Sequence, residues 1–192
     1  MALKTSSYLI LGLIRGGVTS GYAIKRFIQQ QRMEVFWATT FAQIYPELAQ
    51  LEEAGYVTHT EDPHGARRRR AYAVTAKGER ALTSWLRRTR VPPMELRDEG
   101  LLRLAFADHL PLEDAIALVQ RLRARSQEAE REFREEIIPI GEALRAAGLR
   151  FPVVVGQMGA EYHAWAVAHL DRLEDELRAE QVAESRVPDL AQ

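Results

Sequence analysis

Four consecutive arginines, Arg67 to Arg70, form a dense run of positive charge in the sequence. Guanidinium groups donate bidentate, charge-assisted hydrogen bonds to phosphates and carboxylates, so this run could bind a polyanion. A solvated surface turn would account for four arginines equally well. The segments on either side of the run decide between these two interpretations.

The arginine run lies in the turn of a predicted β-hairpin. Residues 56–62 (YVTHTED) alternate and are rich in β-branched side chains, residues 63–66 (PHGA) are typical of a turn, and residues 71–75 (AYAVT) form a second short strand. Three helical segments precede this hairpin, and a fourth, capped by Thr75, follows it. This order of elements predicts a winged helix-turn-helix, a DNA-binding arrangement.

The third predicted helix carries candidate base-contacting side chains. Its apolar face contains Phe41, Ile44, Leu48 and Leu51. The face assigned to solvent contains Thr40, Gln43, Glu47 and Gln50. Gln can pair with adenine and Glu can accept from cytosine in the major groove. Gly55 is predicted to end the helix. Pro46 indicates either that the helix truly starts near this proline or that its first turn is distorted.

Charge is distributed unequally along the chain. Residues 1–92 carry 14 Lys and Arg against 7 Asp and Glu, a net of +7, whereas residues 93–192 carry 12 against 20, a net of −8. The front half therefore favours a polyanion, and the rear half would be repelled from one. Lys4, Lys25 and Arg26 are predicted to add phosphate contacts.

The rear half is predicted to be wholly helical, so the fold class is mainly α. Pro92 and Pro93 mark the boundary. The predicted domains are a winged-helix DNA-binding domain at 1–91, a helical dimerisation domain at 92–182 and a flexible tail at 183–192. The last helix carries one stripe, at steps of three or four: Met158, Tyr162, Trp165 and His169. Such a stripe has to be buried, and a second copy of the chain would cover it.

The sequence argues against catalysis, metal binding and membrane insertion. There is no cysteine, which excludes disulfides and thiolate sites and fits a cytoplasmic protein. His163 and His169 are six residues apart and do not share a helix face, and no phosphate-binding or nucleophile motif occurs. The apolar run Tyr8–Ile14 is too short to span a membrane. We therefore expect no enzyme, no cofactor and no metal.

Several motifs together resemble the PadR-like family of winged-helix transcriptional regulators. They are LILGLI, SGYAIKRFI, IYPELAQLEEAGYV and GARRRRAYAVTAKGERALTSWL. The hallmarks are Gly21-Tyr22, Tyr45-Pro46, Leu51-Glu52, Gly55 and the TAKG after the wing. The resemblance covers residues 3–90, and the rear half by its architecture. This sequence departs from the family pattern at residues 41–43 (FAQ), where family members more commonly have a stretch that contains small Ser or Gly residues.

This resemblance implies a specific function. Similar family members bind DNA as homodimers, usually as repressors, and dimerise through C-terminal helices. The resemblance also implies that Tyr22, Thr40 and Tyr45 lie at the DNA surface. Relatives often respond to aromatic compounds, so the stripe around Tyr162 and Trp165 either is only a dimer interface or also lines the pocket of a small aromatic effector. The expected target is a pseudo-palindromic operator in double-stranded DNA.

Two other classes of function remain open at this stage. The wing could bind an acidic protein instead of DNA, or the basic hairpin of a helical scaffold could serve solubility alone. DNA binding would weaken steeply with salt because counterions are released. A solubility role predicts no affinity for nucleic acid even at low salt.

Overall fold

A computed structural model describes residues 3–30, 43–62 and 69–184 of the chain. The chain divides into two compact units, residues 1–93 and 94–192. The described residues are mainly helical with one two-stranded antiparallel sheet, as predicted. The predicted site residues Thr40, Arg67 and Arg68 lie outside the described residues, as do residues 185–192 of the predicted tail.

The first unit is built from helices and a hairpin around one apolar core. Its elements are α1 (Thr5–Arg15), α2 (Gly21–Gln30), α3 (Ile44–Glu53), β1 (Val57–Asp62), β2 (Arg69–Val74) and α4 (Ala76–Leu86). The core residues include Leu11, Ile24, Ile28, Ile44, Leu48, Leu51 and Val57. The register of the hairpin places His59 opposite Tyr72 and Glu61 opposite Arg70.

Local sequence signals explain where these elements begin and end. Pro46 is the third residue of α3, where a helix has no intrahelical use for the amide N–H that proline lacks. Of the two alternatives for Pro46, a true start nearby is therefore correct. Gly55 follows α3 with φ of 73°, the left-handed conformation predicted for it. Thr75 caps α4 as predicted, because its side chain accepts from the Gly78 amide at 3.1 Å.

The second unit is an antiparallel arrangement of long helices. Its elements are α5 (Glu99–Leu104), a 3₁₀ turn (Ala107–His109), α6 (Leu112–Glu132), a π-helical turn (Phe133–Ile137), α7 (Ile138–Ala146) and α8 (Phe151–Glu184). The α6 and α8 helices bury a cluster of Leu118, Val119, Leu122 and Leu170. A second cluster contains Phe133, Ile137 and Ala160.

Two features of the second unit depart from the sequence pattern. A proline inside a helix usually interrupts it, but the helix continues through Pro139 after the π-helical turn. The α8 helix runs to Glu184, so the first two residues assigned to the tail, Ala183 and Glu184, are helical. Within the described ranges, no helix is both long enough and apolar enough to cross a membrane.

Candidate nucleic-acid interface

A close approach of α2 and α3 forms one corner of the first unit. A Cβ atom on Gly21 would lie 2.7 Å from Cε1 of Tyr45, so only glycine lets the Tyr45 ring pack against the start of α2. Tyr22, the next residue of α2, and Tyr45 are each 57% exposed. Exposed tyrosines on a small unit present hydroxyl groups that can contact phosphates.

The outward face of α3 continues from this corner. Gln43 immediately precedes the helix and is exposed, and Ala49 and Gln50 are exposed one turn beyond Tyr45. The face therefore combines amide side chains with a small residue that leaves room for a close approach. This is a composition that suits contact with base edges in the major groove.

The prediction that Glu47 lies on this outward face is wrong. Glu47 is only 7% exposed, and its carboxylate accepts a hydrogen bond from the Ser7 hydroxyl of α1. Its helical spacing explains the burial, because Ile44, Glu47, Leu48 and Leu51 follow the i, i+3, i+4, i+7 pattern of one face. Glu47 thus joins α3 to α1 inside the unit and is not available to a base.

The wing places the Arg70 side chain next to α3. Arg69 begins β2, and Arg70 is exposed with its Nη1 3.9 Å from Oε2 of Glu52. Oε1 of the same carboxylate is hydrogen-bonded to Nδ1 of His59 in β1. Sequence reasoning missed this pairing. The hairpin register places His59 and Arg70 on one face, but the approach of Glu52 to that face depends on tertiary packing of α3.

Two further lysines of the first unit differ in their roles. Lys25 is half-buried on α2, and its predicted role is a phosphate contact. Lys77 donates from Nζ to the Ala54 carbonyl at 2.7 Å and lies 4.5 Å from the centroid of the Tyr56 ring. A cation at the C-terminal end of α3 satisfies a free carbonyl and complements the helix dipole. Lys77 therefore stabilises the end of α3.

The predicted stripe of the second unit is exposed along α8. Met158 is 64% exposed and Trp165 58%, with Tyr162 and His169 also at the surface. The rings of Tyr162 and Trp165 lie 6.2 Å apart, and those of Trp165 and His169 lie 5.1 Å apart. We call these four residues the α8 row. An apolar row of this length on one helix is typical of a binding surface.

His163 lies behind the α8 row, inside the second unit. Its ring packs 5.7 Å from the Phe133 ring at the π-helical turn, and its buried Nδ1 has no hydrogen-bond partner among the described residues. Burial lowers the pKa of His163 below its ordinary value, and the nearby Arg125 charge adds to this shift. His163 is therefore neutral near pH 7. Within the same described residues, no group of His, Asp and Glu comes together to hold a metal ion.

Comparison with known proteins bears on both units. Residues 10–84 match the model of the transcriptional regulator PadR-like family. The negative transcriptional regulator PadR of Bacillus subtilis (strain 168) is 32% identical over 114 residues, which cover 59% of this chain. The matched stretch spans 62% of the length of that regulator.

Crystal structures of Bacillus subtilis PadR share the fold of both units. The complex with operator DNA aligns with a TM-score of 0.80 and 25% identity, over 91% of this chain and 99% of that chain. The complex with p-coumaric acid aligns with a TM-score of 0.72 and 24% identity, over the same shares of the two chains. Residues 10–84 are thus similar to the PadR-like family of transcriptional regulators, and both units share the fold of Bacillus subtilis PadR.

Proposed function

We propose that this protein is a sequence-specific DNA-binding repressor that acts as a homodimer on a pseudo-palindromic operator. The observation that carries this proposal is the exposed face of α3, with Tyr45 and Gln50, lying in the same compact unit as a wing that displays Arg70. This unit corresponds to the predicted DNA-binding domain at 1–91. A negative regulator that is similar to this chain, Bacillus subtilis PadR, has been crystallised with operator DNA.

Each part of the first unit has a distinct task in this proposal. The major groove admits one helix, so α3 enters it and presents Gln43 and Gln50 to base edges. Tyr22 and Tyr45 contact phosphates beside the groove and fix the position of the helix. The wing arginines contact phosphates or the adjacent minor groove. Affinity thus comes mainly from the wing, and sequence preference from α3.

The second unit joins two such units in this proposal. The α8 row has to be covered, and a second copy of the same row covers it with two-fold symmetry. Two α3 helices related in this way enter successive major grooves about one helical turn apart. In this proposal the protein acts in the cytoplasm and binds its target without catalysing a reaction.

A small aromatic acid is the proposed effector. Bacillus subtilis PadR has been crystallised with p-coumaric acid. In this chain the rings of Tyr162 and Trp165 offer the stacking surface that a planar ligand needs. Release from DNA follows if the acid binds better to a dimer whose two α3 helices are wrongly spaced for the operator.

Fluorescence anisotropy tests the DNA-binding part of this proposal. The protein is titrated onto DNA from immediately upstream of its own coding sequence, and onto an unrelated duplex, at two salt concentrations. We expect tight, salt-sensitive binding with a preference for the upstream DNA. No binding at low salt would contradict the proposal and favour an acidic protein as the partner of the wing.

A pair of variants tests the role of the wing in the same assay. Arg70→Ala should weaken binding to both duplexes and reduce the salt dependence by about one phosphate contact. Arg80→Ala is the matched control, because it removes the same charge from an exposed position on α4. Equal effects of the two variants would show that only net charge matters.

The effector is tested on the protein–DNA complex. Adding p-coumaric acid should lower the anisotropy of the bound upstream duplex, and Trp165→Phe should keep this response because the stacking ring remains. Benzoic acid and cyclohexanecarboxylic acid separate an aromatic requirement from a carboxylate requirement. An unchanged anisotropy with all three acids would contradict regulation by this class of ligand.

A further inference from the structure

We propose that Glu52 is a positioning residue that holds the wing in a fixed orientation against α3, so that both engage DNA together. The inference rests on the proposed DNA-binding function. It assigns a role to a carboxylate that would otherwise only repel a polyanion. The supporting observation is the convergence of three elements, α3, β1 and β2, on this one side chain.

The geometry of this convergence is specific. Glu52 lies in the last turn of α3, and its two carboxylate oxygens have different partners. Oε1 is bonded to Nδ1 of His59 in β1, and Oε2 lies 3.9 Å from Nη1 of Arg70 in β2. The side chains of Glu52 and His59 are each about one quarter exposed, so this contact is partly shielded from solvent.

The wing needs such an attachment because a two-stranded hairpin is marginal on its own. The base of the wing is fixed by apolar packing, with Val57 and Tyr72 buried, and by a hydrogen bond from the Tyr72 amide to the Thr19 carbonyl at 2.6 Å. Further toward the turn, the face of the hairpin that carries Val57 and Tyr72 becomes polar. The next two residues opposite each other on this face are Glu61 and Arg70. Glu52 extends the attachment to this pair, which contains the last arginine of the run.

Electrostatics separates positioning from a simple charge effect. A carboxylate beside a phosphate-binding surface opposes binding, so removing its charge alone should strengthen binding to DNA. Loss of a preorganised wing should weaken binding, because the ordering cost is then borne when DNA binds. The two explanations predict changes of opposite sign for the same substitution.

The experiment compares Glu52→Gln with the matched control Glu53→Gln in the full-length chain. Glu53 is the next residue of α3, it is exposed, and the substitution removes the same charge. We expect Glu52→Gln to weaken binding to upstream DNA about tenfold, the effect of one lost charge-assisted hydrogen bond. Glu53→Gln should leave binding unchanged or slightly tighter.

Amide hydrogen exchange provides a second measurement that needs no DNA. Glu52→Gln should speed exchange in the two wing strands and leave α1 and α4 unchanged, and Glu53→Gln should change none of them. His59→Gln should speed wing exchange in the same way, which keeps the test available if Glu52→Gln does not fold. If the parent protein does not bind DNA, the proposed function is wrong, and exchange alone then decides whether Glu52 holds the wing.

Two outcomes would overturn the inference. The first is that Glu52→Gln binds DNA as tightly as the parent or more tightly. The second is that wing exchange in Glu52→Gln and His59→Gln matches exchange in Glu53→Gln. Faster wing exchange together with weaker binding, both confined to the Glu52 and His59 variants, supports it.

Discussion

The two units of the molecule differ in how completely each covers its own apolar side chains. In the first unit, α1, α2, α3 and the hairpin enclose a shared core, and its exposed aromatic rings include Tyr22 and Tyr45. In the second unit, α8 exposes a long series of large apolar side chains: Phe151, Val154, Val155, Met158, Tyr162, Trp165 and Val182.

This difference indicates two kinds of partner. Exposed tyrosines beside polar and basic side chains suit a hydrated, charged surface such as DNA. A series of exposed apolar side chains on one helix suits another protein surface or an aromatic ligand, because leaving it in water costs free energy. In the proposed function, the first unit contacts a polar partner, whereas the second unit forms one half of an interface.

The largest expected effect comes from placing a charge in the α8 row. Trp165→Glu should give a monomer, because pairing two rows would now bury unpaired carboxylates. The affinity for DNA should fall more than about 100-fold, because the DNA-binding units of two chains are then no longer linked. Light scattering after size exclusion, followed by anisotropy, measures both changes.

Ala179→Glu is the control for this substitution, because it adds the same charge at an exposed position of α8 beyond the row. It should remain dimeric. If Trp165→Glu stayed dimeric and bound DNA as tightly as the parent, the α8 row would not be the dimer interface. The contrast between the two units would then fail.

The next effect concerns packing inside the second unit. A Cβ atom on Gly159 would lie 2.3 Å from the Phe133 ring, so Gly159→Ala should lower the free energy of unfolding by about 1–3 kcal/mol. Gly12→Ala in α1 meets no atom within 4 Å and should raise it by up to about 1 kcal/mol. Urea titrations of both variants measure these changes, and a stabilising Gly159→Ala would show that this core is loosely packed.

A smaller effect is the pH dependence contributed by His163. Its pKa is lowered in the folded state, so the unfolded chain binds the proton first as the pH falls below the ordinary value of 6.5. Stability should therefore decrease from that pH down to the folded pKa of His163. Thermal unfolding of the parent and of His163→Gln across this range tests the effect, which should be weaker in the variant. If the stability of the parent and that of His163→Gln changed equally with pH, His163 would not be the cause of this pH dependence.

The smallest expected effect comes from a surface ion pair in the first unit. Arg15 of α1 lies 3.2 Å from Glu79 of α4, and both side chains are well exposed. Arg15→Ala should change the free energy of unfolding by less than about 1 kcal/mol, because water and salt screen exposed pairs. Urea titration measures this change. A loss comparable to that of Gly159→Ala would mean that the first unit depends on its surface charges.

The order and type of the elements in the first unit could be predicted from the sequence because each has a local signal. Thr75 and Gly55 mark helix ends through side-chain capping and a left-handed backbone, and both depend only on neighbouring residues. The continuation of the helix past Pro139 was not predictable in this way. It depends on a π-helical turn that α8 packs against.

The candidate site was predictable only in part. Gln50 is exposed on α3, as its spacing suggested, and Tyr45 is exposed, as the family resemblance implied. Glu47 was misplaced because its spacing from Gln43 and Gln50 was taken to put it on the same outward face. Its partner Ser7 is 40 residues away, so no local pattern reveals the hydrogen bond that allows burial. The Glu52–His59 contact likewise depends on tertiary packing between α3 and β1.

The most direct test of the central claim is the ratio of affinities for upstream DNA and for a scrambled duplex of the same composition. We measure this ratio by anisotropy for the parent, for Gln50→Ala on α3 and for Gln127→Ala, a control on the exposed side of α6. The parent should prefer the upstream DNA at least about 1,000-fold, and Gln50→Ala should narrow this preference while binding the scrambled duplex as before. A parental ratio near one, or an equal loss on both duplexes with Gln50→Ala, would contradict the claim that α3 selects the sequence.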